Sequence, residues 1–397
     1  MPKTKVQTEG DGSMNGATLS TNDNEDDIRD FEYVHVVLQP SSSSAASMSA
    51  IYESIQLALD DGLDVIFTPG IYQFEHTLHI KHSNTVLLGL GMATLIAPSS
   101  AARAPIIKVA SNISNVRIAG FILEATTLPS AAEEAYPSTL LIWGDHDVHD
   151  RGDKFRPGVI SDVFCRVGGS TSTYDARKAN VDVMIQLYSS NIVVDHLWLW
   201  RTDHLGAFTP DEMKAAVVQI NHSKTASAVN RDHYMVQNGE CSSKTGLQVF
   251  GDDITIYGLS AEHFTQDMID WHGDRGQVIF YQSELPYDVT KDEYDGNYVS
   301  YRVRDTVQSH ELYGGGVYSY FRDDNVTSTM GFSHPITPTS TSTATNNNTH
   351  QYTKNITMIN VFTRFLNGMG SIKSVVNMNG QPVNTVNRTS RVELSVS

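Results

Sequence analysis

Short runs in which hydrophobic and polar positions alternate recur along the chain from residue 31 to the C-terminus. Six of them share one form, an Asn, Asp or Gly followed by β-branched and apolar residues, and they begin at Asn84, Asn115, Asn191, Asp253, Gly276 and Asn355. Alternation with a period of two predicts half-buried β-strands, and the leading residue predicts a turn before each strand. The pattern therefore predicts a protein built mainly from short strands.

One segment departs from this alternation. Between Ser42 and Asp61, apolar residues recur at helical spacing, namely Met48, Ile51, Ile55 and Leu59. That spacing predicts a short amphipathic helix, whereas Phe31–Leu38 before it has the composition of a strand. We expect the helix to cover the open sheet edge at the start of the fold.

The spacing of the six runs indicates how the strands are arranged. Their starts are separated by 31, 76, 62, 23 and 79 residues, which are multiples of a coil of ~20–30 residues once insertions are allowed. Coils of that length each add one strand to several parallel sheets, so inward side chains stack into apolar ladders. The sequence predicts an all-β, single-stranded, right-handed parallel β-helix of the pectin-lyase-like type, with a β-sandwich as the alternative.

Polar segments precede the predicted domain and interrupt it. Insertions interrupt the coils at Thr126–Ser138, Gly144–Arg156, Thr202–Lys214 and Ser333–Lys354. The last of these is rich in Ser, Thr and Asn, and we expect a flexible loop at about 333–354. Residues 1–30 are polar and lack the apolar segment of a signal peptide, so we expect a disordered leader before a single β-helix domain at 31–397.

Charge narrows the range of partners. Lys and Arg total 28 against 45 Asp and Glu, which gives a formal net charge of −17. Such a surface repels phosphate backbones and anionic lipid headgroups, so we expect neither a nucleic-acid partner nor a membrane. An acidic polysaccharide is disfavoured for the same reason, whereas a neutral polysaccharide is indifferent to the charge.

Cysteines and glycosylation signals bear on the compartment. Cys165 and Cys241 are too few for a disulfide scaffold or a four-thiolate zinc site, and a single bridge between them is one hypothesis. Six Asn-x-Ser/Thr sequons occur, at Asn112, Asn221, Asn325, Asn347, Asn355 and Asn387. We expect a secreted or extracellular glycoprotein on this ground, although no signal peptide is visible.

Two glutamates stand out in the densest polar and aromatic block, Glu262–Asp288. Glu262 and Glu284 are 22 residues apart, about one coil, so the predicted fold places them on neighbouring coils of one face. Two adjacent carboxyl groups are what a glycosidase needs, one to donate a proton and one to activate water. Acidic residues are also common on β-helix surfaces, so a solvated ladder is the alternative interpretation.

Motifs around these glutamates resemble a known family. The segment Gln282-Ser-Glu-Leu-Pro-Tyr resembles the Gln-Thr-Glu-Thr-Pro-Tyr segment of family 55 glycoside hydrolases, the exo-acting β-1,3-glucanases or laminarinases. Glu262-His263 resembles the upstream Glu-His of that family. Two further runs are similar to family motifs, Gly315–Phe321 and Asp195–Trp200 followed by Asp203-His204.

The resemblance implies an inverting hydrolase of neutral β-1,3-glucan that needs no cofactor and no metal. By this likeness Glu284 matches the general acid and Glu262 a carboxylate that holds the attacking water. We expect the substrate to be bound by Gln282, Gln266, Trp271, Tyr281, Tyr287, Tyr318, Asp270 and His263. Because apolar residues flank Glu284, we expect its pKa to be raised and Glu262 to remain charged.

The chain also departs from the family. Family members place two β-helical domains side by side with the sugar between them, and this chain resembles the C-terminal domain alone. A partner chain or a second β-helical domain would then complete the cleft. Neighbouring strands lie ~4.8 Å apart, whereas inverting hydrolysis needs carboxyl groups ~6.5–9.5 Å apart. A non-catalytic glucan-binding or interaction module, a polysaccharide lyase and a trimeric tailspike therefore remain alternatives.

Overall fold

Short strands make up most of the described chain, as the alternation predicts. The structure, a computed structural model, describes residues 4–5, 18–19, 31–39, 45–97, 104–125, 138–168, 177–204, 235–335 and 354–396. The helices in these residues are α1 (Ala45–Asp60) and α2 (Lys291–Tyr294), and a 3-10 turn covers Phe31–Tyr33. The strands are β1 (Thr4–Lys5), β2 (Thr18–Leu19), β3 (Val34–Val37), β4 (Asp64–Phe67), β5 (Ile71–Gln73), β6 (Leu78–Ile80), β7 (Val86–Ile96), β8 (Ile107–Val109), β9 (Arg117–Ala125), β10 (Thr139–Trp143), β11 (Gly158–Val167), β12 (Asn180–Leu187), β13 (Ile192–Arg201), β14 (Ser242–Val249), β15 (Thr255–Glu262), β16 (Ile269–Trp271), β17 (Gly276–Glu284), β18 (Tyr301–Val303), β19 (Ser309–Phe321), β20 (Thr327–Ser328), β21 (Phe332–Ser333), β22 (Asn355–Gly368), β23 (Ser371–Ile372) and β24 (Thr389–Val396).

Two long sheets run the length of the molecule. The larger has the order β24-β22-β19-β17-β15-β13-β11-β9-β7-β4-β3, with β5 beside β7, and the smaller has the order β21-β18-β16-β14-β12-β10-β8-β6. From β5 to β19 successive strands of the chain alternate between the two sheets, and pairing within each sheet is parallel until β24, which runs antiparallel to β22. Parallel strands that return one coil later define a parallel β-helix, and the predicted fold is confirmed.

The core is a set of apolar ladders that cross the coils. In the larger sheet one ladder of paired residues is fully buried, and it consists of Leu87, Ile118, Ile160, Val194, Ile256, Val278, Leu312 and Met358. Burial of apolar area contributes roughly 25 cal/mol per Å². Each coil therefore gains stability chiefly by stacking on its neighbours.

Left-handed residues make the corners of each coil. The predicted turn residues Asn84, Asn115, Asn191 and Asp253 have φ values of 67°, 59°, 57° and 55°, a conformation that Asn and Asp tolerate better than most residues. The Asn115 side-chain amide donates to Asn84 Oδ1 at 2.8 Å, which links two successive corners. The polar residue before each run is thus a structural requirement of the coil.

A second left-handed residue bends most long strands of the larger sheet in the middle. These residues include Asp162, His196, Gly258, Phe280, Gly314 and Asn360. Pairing skips this position, as Tyr257 pairs with Ile279 and Leu259 with Tyr281. Strict alternation is broken there, because the corner residue is one extra residue between two stretches whose side chains alternate. Side chains beyond the corner therefore face the opposite way from the one that a period of two predicts.

The predicted helix covers the first coil. Helix α1 buries Ile55 and Leu59, and the side chain of Gln56 donates to the His79 carbonyl and accepts from the His79 N–H at 3.1 and 2.9 Å. His79 lies on β6, the edge strand of the smaller sheet. The helix thus satisfies backbone groups that an open edge would expose, as expected.

Several predicted segments lie mainly outside the described residues. Of the leader, the structure describes β1 and β2, which pair antiparallel, and the predicted disorder of the remainder lies outside these residues. The insertion at Thr126–Ser138 and the loop at about 333–354 are likewise described only at their ends. Gly144–Arg156 is described and connects β10 to β11 without forming a strand or helix.

The proposed disulfide is wrong. Cys165 and Cys241 are both free and buried. Cys165 points into the core from β11, whereas Cys241 precedes β14 of the other sheet, a placement that the sequence spacing did not indicate. Burial raises the pKa of both thiols, to about 12 for Cys241.

Within the same described ranges, no helix is long and apolar enough to cross a membrane.

Candidate active site

Glu262 and Glu284 end two adjacent strands of the larger sheet. They are the last residues of β15 and β17, and they are direct partners in the parallel register. Ala261 and Ser283 before them are buried, so both glutamates point outward from the same face. The predicted adjacency of the two carboxyl groups is confirmed. Trp200 pairs beside Glu262 and Tyr318 beside Glu284, which extends the row by one residue on each side.

The electrostatic environment singles out Glu262. Burial is the largest influence on its pKa, followed by the charge of Glu284, and together with Asp203 they raise the pKa to about 7. The polar groups of Trp198 and Gln282 act in the opposite direction but do not compensate. The expectation of a Glu262 that stays charged assumed an ordinary low pKa, and the structure instead gives a raised one, because it buries Glu262 beside two other carboxylates.

Tyr287 holds the other glutamate. Its hydroxyl donates a hydrogen bond to Glu284 Oε2, and its ring packs against His263 and Tyr320, with ring centroids 4.3 and 4.9 Å away. Burial and the adjacent Glu284 raise the pKa of Tyr287 well above its ordinary value. The phenol therefore stays protonated and remains a donor to the carboxylate.

Asp203 places a further negative charge near Glu262. Asp203 lies 2.8 Å from His204 Nδ1 and 3.9 Å from His263 Nε2. Burial alone would raise the pKa of Asp203, but its contacts with His204 and His263 outweigh burial and lower it. Burial lowers the pKa of His263. The site thus concentrates negative charge around one neutral, buried histidine.

Arg201 and Asp288 form a buried ion pair that contacts the backbone next to the site. Arg201, the last residue of β13, is 1% exposed and contacts Asp288 through two hydrogen bonds of 2.8 and 2.6 Å. Its guanidinium also donates to the carbonyl oxygens of His263, Glu240 and Cys241. The Arg201–Asp288 pair therefore fixes the backbone on both sides of the glutamates, at His263 and just after Tyr287.

Aromatic rings form the surface that leads to Glu262. Trp198 and Trp200 stack with ring centroids 5.5 Å apart and planes 23° apart. Phe164 meets Trp198 edge to face at 5.9 Å, and His204 lies 5.4 Å from Trp200. A largely aromatic surface with a few polar groups is typical of sites that bind small organic molecules.

Four of the predicted substrate-binding residues lie at the site. Tyr287 and His263 form its wall, and Tyr318 lies beside Glu284 in the register. The hydroxyl of Ser260 donates to Gln282 Oε1 at 2.5 Å. This bond directs the amide end of Gln282 outward on the same face as the glutamates.

The other four are elsewhere. Trp271 and Tyr281 are 0% and 1% exposed and lie in the core, so the prediction that they contact substrate is wrong. Tyr281 turns inward because the corner at Phe280 shifts the alternation by one. Asp270 is also misplaced, since it belongs to the smaller sheet and pairs with Arg304 and His272. Gln266 lies in the turn after β15, and its N–H donates to Lys244.

Sequence reasoning missed three residues of the site as site residues, Trp198, Arg201 and Asp203. They are about 60 residues from Glu262 in the chain, and the long insertion after His204 hides that β13 and β15 are adjacent. The signal was present in the run Asp195–Trp200 followed by Asp203-His204, which was quoted only as a family likeness. In the part of the chain that is described, no three His, Cys, Asp or Glu side chains are placed to hold a metal.

Comparison with known proteins identifies relatives of this chain. A family model described as the LAM55 pectate lyase-like domain matches residues 43–284. An exo-beta-1,3-glucanase of Streptomyces sp. (strain SirexAA-E / ActE) is 31% identical over 295 residues, which are 73% of this chain and 41% of that protein.

Solved structures agree with these matches. That of sacteLam55A from Streptomyces sp. SirexAA-E has a TM-score of 0.66 and 27% identity, and the match covers 87% of this chain and 53% of that one. A variant of sacteLam55A in complex with glucose also has a TM-score of 0.66, with 25% identity and coverage of 88% and 55%. The chain thus spans about half the length of the relatives it matches.

Proposed function

Because the chain belongs to the LAM55 pectate lyase-like domain family and resembles the C-terminal β-helical domain of family 55 glycoside hydrolases, we propose that it hydrolyses β-1,3-glucan. The observation that carries the proposal is the pair of adjacent carboxyl groups with unequal environments. The pKa of Glu262, beside Glu284, is raised to about 7. Two adjacent carboxyl groups, one with a raised pKa, have the composition that acid and base catalysis of glycoside hydrolysis requires.

In the proposed reaction Glu284 is the general acid and Glu262 orients the water. Glu284 gives its proton to the glycosidic oxygen while the bond from that oxygen to the anomeric carbon breaks. Water attacks the anomeric carbon from the opposite face and loses its proton to Glu262, so the product has inverted configuration. Because the two glutamates are direct partners on adjacent strands, this step requires their side chains to diverge from the ~4.8 Å strand spacing to carboxyl groups ~6.5–9.5 Å apart. In the substrate-free protein the raised pKa of Glu262 favours a proton on that carboxyl group below about pH 7. The assignment therefore requires that proton to move to Glu284 when substrate binds.

The remaining site residues have supporting roles in this proposal. Tyr287 orients Glu284 through its hydrogen bond, and Asp203 keeps the pKa of Glu262 high by its negative charge. Gln282 and Tyr318 flank the glutamates and offer hydrogen bonds and a ring to the sugar. Since the chain spans about half of its relatives, we propose that a partner chain or second β-helical domain supplies the facing wall.

Secretion is part of the same proposal, because an insoluble or long glucan is met outside the cell. The asparagines of four sequons, Asn112, Asn325, Asn355 and Asn387, lie in the described residues and are exposed. They are therefore accessible to glycosylation. Expression in a secreting eukaryotic host, followed by enzymatic removal of N-glycans, should lower the apparent mass, and an unchanged mass would contradict this part.

The test of the activity is an incubation with laminarin, with pectin and alginate in parallel. We expect soluble glucose or short glucans from laminarin, and no ultraviolet-absorbing unsaturated uronate from the acidic polymers. Turnover of pectin or alginate would favour a lyase. Binding of laminarin without turnover would favour a non-catalytic module, a function that the half-length match makes the principal alternative.

A further inference from the structure

One corner residue of the larger sheet does not suit its conformation. Among the corners that bend the long strands, Gly258 and Gly314 on the adjacent coils are glycines, whereas Phe280 between them has a φ of 67°. Glycine adopts this region freely, but a bulky side chain there is strained. Phe280 is also 63% exposed. Phe280 therefore has a strained backbone conformation, and burial of its ring in the core does not offset that strain. This combination points to a role outside folding.

The ring stands at the side of a slot that ends at Glu262. A pocket of about 290 Å³ is lined by residues of four adjacent strands, including Phe164 on β11, Trp198 on β13, Gly258 and Ser260 on β15, and Phe280 on β17. The two small residues form its floor. Because β13 and β17 flank β15, their backbones are two strand spacings apart, roughly 10 Å, and Phe280 lies two residues before Gln282, the residue of β17 that is in register with Trp198. That separation accommodates a single pyranose ring between aromatic walls.

Polar groups are placed where such a ring needs them. Glu262 and Ser260 line the same pocket, and the Ser260 hydroxyl donates a hydrogen bond to Gln282 on the adjacent strand. Flat aromatic rings with a few fixed polar groups are what binds a sugar, whose faces carry C–H groups and whose rim carries hydroxyls.

We propose that Trp198 and Phe280 form a binding slot for the glucosyl unit next to the cleaved bond. The proposal rests on the proposed glucan function and adds an aromatic contact with the substrate. The unit in the slot presents its glycosidic bond to the two glutamates, and the strained backbone at Phe280 keeps the ring projecting from the sheet. Phe280 is thus a specificity-determining residue.

The neighbouring coils supply the test variant. Phe280→Gly copies the residue found at the equivalent corners 258 and 314, so the backbone keeps its conformation and the strain is relieved. Phe280→Tyr keeps the ring and serves as the conservative variant. Phe155→Ala, in the Gly144–Arg156 loop, removes a ring of similar exposure, 57%, that does not line the slot.

The measurements are the affinity for laminaripentaose by titration calorimetry and the melting temperature. We expect Phe280→Gly to bind about tenfold more weakly with an unchanged or higher melting temperature, and the two other variants to bind within about twofold of the original protein. Unchanged affinity of Phe280→Gly, or a large fall in its melting temperature, would overturn the slot. Failure of the original protein itself to bind laminaripentaose would instead overturn the proposed function.

Discussion

Two outward-facing carboxylates, one on each sheet, are affected very differently by the fold. Glu262 on the larger sheet and Asp270 on the smaller sheet both lie at or next to strand ends, and burial disfavours the charged form of each. The pKa of Glu262 nevertheless rises to about 7, whereas that of Asp270 falls to about 2. Burial raises the pKa of both groups, so the difference between them comes from their neighbours, which add to the rise at Glu262 and reverse it at Asp270.

The neighbours differ in charge. Asp270 accepts a hydrogen bond of 2.5 Å from Arg304 and lies 3.1 Å from His272, which outweighs its burial. Glu262 instead has the carboxylates Glu284 and Asp203 beside it, and no such cation is among the causes of its shift. On this β-helix a carboxyl group becomes chemically useful where the fold buries it and withholds a cation.

The largest expected effect is on activity, and it distinguishes a carboxyl group at the site, Glu284, from one on the smaller sheet, Asp270. Glu284→Gln should lower turnover of laminarin about 1,000-fold with little change in glucan affinity, because the amide keeps the shape but cannot supply the proton. The matched control is Asp270→Asn, which should change turnover less than about threefold because Asp270 faces away from the site. Steady-state kinetics and titration calorimetry with laminarin measure both.

A chemical rescue distinguishes the two roles in the pair. On an aryl β-glucoside with a very acidic leaving group, which needs little protonation, Glu284→Gln should recover much of its activity and Glu262→Gln should not. The assignment would be wrong if Glu262→Gln were the rescued variant, since the roles would then be exchanged.

The buried Arg201–Asp288 pair tests what the loss of a cation does. Arg201→Met leaves Asp288 unpaired at 4% exposure and should lower the free energy of unfolding by about 3–5 kcal/mol. Arg201→Met combined with Asp288→Leu should recover much of this loss, because no uncompensated charge remains. Denaturant unfolding measures both, and equal losses in the single and double variants would show that the pair acts through packing alone.

Glu262 itself makes stability depend on pH in a known direction. Its pKa is about 7 in the folded protein and 4.5 ordinarily, so its contribution is fully present below about pH 4.5 and is lost as pH rises through 7. Glu262→Gln should therefore stabilise the fold by about 2–3 kcal/mol at pH 8 and change it little at pH 4. Thermal unfolding across this range is the measurement, and an equal effect at both pH values would contradict a raised pKa.

The smallest expected effect makes Asp270 more like Glu262. Arg304→Gln removes one of its cations and should destabilise the fold by about 1 kcal/mol at pH 7, since the arginine is partly exposed. The lowered pKa of Asp270 contributes stability above about pH 3.8, and this is lost as pH falls through 2. The effect of Arg304→Gln should therefore shrink at pH 2, and an undiminished effect there would indicate lost packing instead.

Residue patterns predict the coil well and the site only in part. The runs that begin at Asn84 and Asp253 mark corners that require left-handed residues, and the 22-residue spacing of Glu262 and Glu284 is one coil without an insertion. Tyr281 was misplaced because one corner residue reverses the alternation.

The sequence pattern did not predict which charges surround each carboxyl group. Asp203 reaches Glu262 across a long insertion, and whether a carboxylate faces Arg304 or Glu284 depends on which sheet it joins. Local patterns encode turns and strand faces, whereas the pKa of a group depends on contacts between residues far apart in the chain.

The most direct test of the account is a titration of the Glu262 carboxyl group itself. Protein labelled with ¹³C at the glutamate side-chain carboxyl carbons, compared with Glu262→Gln to assign the signal, would be followed by NMR from pH 3 to 9. The account predicts that the Glu262 signal titrates near pH 7 and that Glu284→Gln shifts this titration to lower pH. A Glu262 signal that titrates near its ordinary value of 4.5 in the unaltered protein would contradict it.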